Sequence, residues 1–164
     1  MPPEPFLLDL RYHAWATRRA LDAAAALGPD ELTRNLPSSY PSVRETLVHI
    51  YQADTVWFDR LNGVSTGPLT KYEGDPDFQV FAAKWLGLLD EYKTWAQGLS
   101  AEDWDRVVDF RNLKGDAYRL PVWKIVQHVV NHASYHRGQV AMMFRQLGHT
   151  PTGTDMSTFH YQSV

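Results

Sequence analysis

His128-Val129-Val130-Asn131-His132-Ala133-Ser134-Tyr135-His136-Arg137-Gly138-Gln139 is the stretch on which the fold turns. Its three histidines recur every four residues. Four residues of α-helix advance about 400°, so successive histidines differ by only about 40° around the axis. With His132 at zero, Ile125, Gln139 and Met143 fall within about 20° of it, and Val129 and Leu147 about 60° away. The histidines therefore share the apolar, core-facing stripe of one long helix, expected from Pro121 to Leu147. Arg137 and Arg145 fall about 140° to either side and are expected to point outward. Pro121 suits the first turn of that helix, and Gly148 a left-handed stop.

Three more helical patterns precede it. The first runs from about Pro5 to Leu27, with apolar positions at Leu7, Leu10, Ala14, Leu21 and Ala25, and Gly28-Pro29 closes it. The second starts at Ser42, three residues before Glu45, which is capping-box spacing. It runs to about Leu61 with a stripe of Val43, Leu47, Ile50, Trp57 and Leu61. Asp54 interrupts that stripe, an odd place for a carboxylate. The third runs from about Asp77 to Gln97 and is rich in aromatics. Between the second and third, residues 62–76 form a long connection. Ser100 and Asp103 open a short helical turn. Residues 106–110 and 116–120 flank Asn112-Leu113-Lys114-Gly115 and read as a small β-hairpin. The tail from Thr150 to Asp155 is read as a loop, ending in Phe159-His160-Tyr161, which is aromatic enough to dock back onto the body. Four helices of about 20 residues predict a four-helix bundle, all-α apart from the hairpin before the last helix. At 164 residues, a single domain over 1–164 is expected.

Composition removes whole classes of chemistry. The chain has no cysteine, so disulfides, cysteine zinc sites, iron–sulfur clusters and a catalytic thiol are excluded. A net charge of −3 makes nucleic acid a poor partner. No signal peptide or membrane-length apolar run is present, so a cytoplasmic protein with no membrane partner is expected. Ala133 follows His132, which excludes the His-Glu-x-x-His of zinc proteases. No Asp or Glu lies between Val122 and Leu147, which argues against a di-iron carboxylate bundle. No nucleophile triad order, phosphate loop or dinucleotide glycine pattern occurs.

Imidazoles in a bundle core need partners. Hydrogen bonds to Gln139, Gln146 or a tyrosine are one solution; a metal ion is the other. Two histidines at i and i+4 can converge on one ion with bonds of about 2.1 Å. His128 and His136 stand about 12 Å apart along the axis, so the pair is 128/132 or 132/136, and spacing leaves both open. His49, the one histidine of the second helix, is the natural third ligand. It lies about 120° from the Leu47–Ile50–Trp57 stripe and would need that helix to bury a second face. His13, His149 and His160 read as surface or packing residues. Asp54, Gln139 and Tyr135 are candidate orienting groups, with structural contacts the plainer role for each.

The stretch from Asn131 to Gln139 resembles the last-helix His-x-x-x-His-Arg-Gly-Gln signature of the DinB/YfiT-like superfamily, and the match continues into Leu147-Gly148. Thr46-Leu47-Val48-His49-Ile50 is similar to that family's second-helix motif, and Tyr12-His13-Ala14-Trp15-Ala16 to its opening helix. The resemblance spans nearly the whole chain in matching order. It implies an up-down-down-up four-helix bundle holding one divalent metal ion, usually nickel or zinc, through three histidines. Position by position these are His49, His132 and His136, which leaves His128 a supporting or packing residue. It also implies a homodimer and, in some branches, transfer or isomerisation with a low-molecular-weight thiol. The expected function is a metal-dependent enzyme of thiol S-transferase or hydrolase type acting on a small molecule. The competing readings are a non-catalytic, stress-related metal- or ligand-binding bundle, and a bundle whose histidines are purely structural.

Overall fold

The computed structural model describes residues 4–64, 77–112 and 114–162. Most of the connection expected over residues 62–76, and Leu113 of the hairpin turn, lie outside the described residues. Four long helices form the body: α1 (Glu4–Ala25), α3 (Val43–Leu61), α4 (Phe78–Gln97) and α5 (Val122–Gln146). A hairpin of β1 (Val107–Arg111) and β2 (Ala117–Pro121) stands directly before α5, pairing Val108 with Leu120 and Phe110 with Tyr118. The sequence pattern does not anticipate two short helices, α2 (Pro29–Leu32) and α6 (Met156–Tyr161). Residues 150–155 form the expected loop, and α6 follows it, carrying Phe159, His160 and Tyr161. At four and six residues, these helices are too short to show a period.

The helix ends follow local chemistry. The Glu45 N–H donates to Ser42 Oγ at 3.1 Å. The Glu45 carboxylate accepts from the same hydroxyl at 3.1 Å. Asp77 caps α4 by accepting from the N–H groups of Gln79 and Val80. Gly148 ends α5 at φ 86° and Gly115 turns the hairpin at φ 89°, a left-handed conformation that costs a β-carbon-bearing residue energy.

Helix directions follow from which ends share a core. Phe6 and Leu10 at the start of α1 pack with Leu61 at the end of α3, Tyr92 at the end of α4, and Ile125 at the start of α5. Leu21 and Ala24 at the end of α1 pack with Leu47, Phe81 and Met143 at the opposite ends of those helices. So α1 and α5 run one way and α3 and α4 the other, which is up-down-down-up. Neighbouring pairs are α1/α4, α4/α3, α3/α5 and α5/α1. Each helix therefore touches two others and buries two faces. That property decides where the polar residues go. Along α1 and α3, His13 and Asp54 fall between the two apolar clusters. At the tail, Phe159 of α6 packs edge-on against Tyr12, 5.8 Å between ring centres, and 5.6 Å from Trp15. No helix among the described residues is long and apolar enough to cross a membrane.

Candidate metal centre

His49 projects from α3 toward α5, where it meets His132 and His136. One ring nitrogen from each lies within 4.8 Å of the other two. His49 Nε2 and His132 Nε2 are 3.1 Å apart. The second face of α3 is thus the face against α5, and its burial brings in a histidine that the Leu47–Ile50–Trp57 stripe leaves aside. Tyr40, from the loop before α3, stacks on the His49 ring at 4.1 Å and meets His136 edge-on at 5.7 Å.

Two features fit this cluster to a divalent ion. The first is spacing. Nitrogens about 2.1 Å from one ion stand roughly 3.0 Å apart at a right angle and roughly 3.4 Å at the tetrahedral angle. The 3.1 Å between His49 and His132 falls in that range. The second is protonation. Burial holds the His49 imidazolium down to a pKa of about 4, and the charge of His136 adds to it. Burial does the same to His132, also to about 4, helped by the charges of His136, His49 and His128, with Asp54 pulling the other way. Neutral rings keep the lone pairs that a metal needs. His132 Nδ1 is buried without a hydrogen-bond partner, so hydrogen bonding alone leaves that ring incompletely satisfied.

Gln139 is one turn from His136, and its Oε1 lies 2.8 Å from His136 Nδ1. Its amide nitrogen donates to Ser39 Oγ at 3.2 Å. Tyr135 is 65% exposed and only edges the His136 ring. His128 stays outside the cluster. It is exposed, its ring 5.8 Å from His132 and 5.0 Å from Trp57. The histidine stripe is therefore buried at His136, half-buried at His132 and open at His128; it does not face the core throughout.

Arg137 corrects the outward placement expected from the helical wheel. It is 3% exposed because the side of α5 away from the histidines packs on α1. Its Nη1 lies 3.1 Å from His13 Nδ1 and its Nη2 donates to Ser134 Oγ at 3.0 Å. The guanidinium lies 5.4 Å from the Tyr12 ring centre. An arginine can only donate, so His13 Nδ1 accepts and the proton sits on Nε2. That nitrogen donates to Asp54 Oδ2 at 2.9 Å. Trp85 Nε1 donates to the same oxygen at 2.8 Å, and the Tyr92 hydroxyl donates to the Asp54 carbonyl at 2.8 Å. His13 and Asp54 are fully buried. Asp54 is therefore the hub of a buried chain that ties all four helices together. His13 belongs to that chain, and its burial goes beyond a surface or packing role. The one sequence signal for it was Asp54 in an apolar stripe. His149 lies at the surface, 2.8 Å from Glu31, and His160 is exposed.

Comparison with known proteins agrees with this architecture. The model of the DinB family matches residues 2–163. The protein DinB of Bacillus subtilis (strain 168) is 23% identical over 159 residues, covering 93% of this chain and 91% of that protein. A crystal structure of a DinB-like protein from Bacillus cereus ATCC 10987 superposes with a TM-score of 0.73. It is 22% identical and covers 92% of this chain and 95% of that one.

Proposed function

We propose, on the premise that this chain belongs to the DinB family, that it is a single-domain metal-dependent enzyme over residues 1–164. His49, His132 and His136 would hold the divalent ion; imidazole suits several such ions, and nickel or zinc is the pair that the family resemblance favours. The observation that carries the reading is the convergence of three ring nitrogens within 4.8 Å from two helices. Such an ion, when bound, supplies Lewis acidity that lowers the pKa of a bound water or thiol.

The protein's own residues have the supporting tasks. Gln139 holds His136 with one ring nitrogen directed to the amide. Tyr40 covers His49 and limits its rotation. Beside Gln139 lies an open cavity of about 380 Å³ bordered by Pro37, Ser38, Tyr135 and Met142, within the size range of small-molecule sites. Two reaction types fit: hydrolysis of a small substrate, and transfer of a low-molecular-weight thiol to an electrophile. The absence of cysteine favours the second wherever sulfur chemistry occurs, because the thiol must then come from outside the chain. The alternative is a non-catalytic metal- or ligand-binding bundle.

Two measurements decide between them. Protein purified without a histidine tag should carry close to one divalent ion per chain, and His132→Ala should carry almost none. Equal, negligible metal in both would overturn the site. Incubation with several small thiols and an electrophile should give metal-dependent conjugation. No turnover across a broad panel of thiols and hydrolysable esters would favour the binding protein.

A further inference from the structure

Outside the histidine triad, the last turn of α3 and the hairpin enclose a cavity of about 200 Å³. Arg60, Arg106 and Arg111 line it, together with Gly63, Val64 and the β1 backbone. Arg60 is 8% exposed. Its guanidinium lies against an edge-to-face aromatic pair, 4.5 Å from the centre of Trp57 and 4.8 Å from that of Phe110, the two ring centres being 5.0 Å apart. Its Nη2 donates to the Arg111 carbonyl at 2.9 Å, and its Nε is buried with no partner. Among the described residues no carboxylate is hydrogen-bonded to it. Asp109 also borders the cavity, but its carboxylate is 2.8 Å from Arg119 Nε.

A buried cation is normally matched by an anion or by a full set of acceptors. Arg60 has neither. Capping the end of α3 does not explain it, because Arg106 already donates to the Leu61 carbonyl at 3.2 Å. Arg111 likewise uses one amino group on the Gly115 carbonyl. Each guanidinium thus spends one donor on the backbone and has others left. Planar guanidinium forks fit the oxygens of phosphate-type anions. The space suits such an anion and is too small for a drug-sized ligand.

We propose that the cavity lined by Arg60, Arg106 and Arg111 binds a small oxyanion of phosphate type, either free or as the end group of a larger ligand. Arg60 is the buried anchor, packed against Trp57 and Phe110. Arg106 and Arg111 close on the anion from the exposed hairpin. This site is independent of the histidine triad.

The test uses inorganic phosphate as the probe, titrated into the intact protein at constant ionic strength with chloride as the balancing ion. Phosphate should raise the melting temperature and give a saturable calorimetric isotherm where chloride gives neither. Arg106→Gln combined with Arg111→Gln alters only exposed side chains and should weaken binding at least about tenfold. Arg60→Lys keeps the charge but loses the Nε donor, and should also weaken it. His132→Ala should bind phosphate as the parent does. Methyl phosphate competing for the site would mark the anion as an end group; failure to compete while phosphate binds would mark a free ion. The proposal is overturned if phosphate acts no differently from chloride. Wild-type phosphate affinity in the double arginine variant, or loss of binding in His132→Ala, would overturn it equally.

Discussion

Gln139 Oε1 sits 2.8 Å from His136 Nδ1, and this contact fixes which edge of the imidazole faces the cluster. An amide oxygen can only accept, so Nδ1 carries the proton and Nε2 keeps its lone pair. The bond from the Gln139 amide nitrogen to Ser39 holds the amide in that orientation. The residue three positions after a histidine of the cluster therefore sets that histidine's tautomer.

Removing this support should weaken the metal without unfolding the chain. Outer contacts of ligating histidines are typically worth 10- to 100-fold in metal affinity. Gln139→Leu should lower divalent-ion affinity by roughly that factor, measured by competition with a chromophoric chelator. Its metal-free melting temperature should stay close to that of the parent. Unchanged affinity would remove Gln139 from the site.

The two candidate pairs in α5 give a direct contrast. His136→Ala and His49→Ala should both abolish stoichiometric metal binding. His128→Ala should retain it, because His128 lies outside the cluster. Metal content by mass spectrometry after extensive dialysis separates the cases. Loss of metal in His128→Ala would shift the site one turn toward the hairpin.

Much of this was readable from the chain. Ser42 with Glu45, Pro121 and Gly148 mark helix ends because capping and left-handed stops are local chemistry. The hairpin was readable from Asn112 to Gly115 for the same reason. Four-residue spacing put His132 and His136 on one face, but only family resemblance chose them over His128 and His132. What a single helical wheel could not show is the second buried face. It ranks residues against one stripe, whereas α5 packs on both α3 and α1. Arg137 falls outside the first stripe and inside the second, and His13 is its partner across that interface.

That interface makes Asp54 a stability determinant. Removing one partner of a buried ionic chain costs about 3–5 kcal/mol, because the other charge is left uncompensated. Asp54→Ala leaves Arg137 in that position and opens the bonds from His13 and Trp85. It should destabilise the fold by roughly that amount in urea denaturation. Arg137→Leu should be similarly costly. Combined, the two should cost clearly less than their sum, since members of one network are not additive. Strict additivity would show that the chain does not act as a unit.

The buried histidines also set a pH dependence for the metal-free protein. An ordinary histidine titrates near 6.5, and the fold holds His49 and His132 at about 4. Between those values the unfolded chain binds protons that the folded chain does not. Stability then rises with pH. The full contribution is present above about pH 6.5 and is lost progressively as pH falls toward 4. The metal-free melting temperature should therefore drop across this window. In a variant with both His49 and His132 replaced by glutamine, the drop should be shallower. Ligand histidines must be neutral to bind, so affinity for the ion should fall over the same interval. Equal slopes in parent and double variant would show that other groups control acid sensitivity.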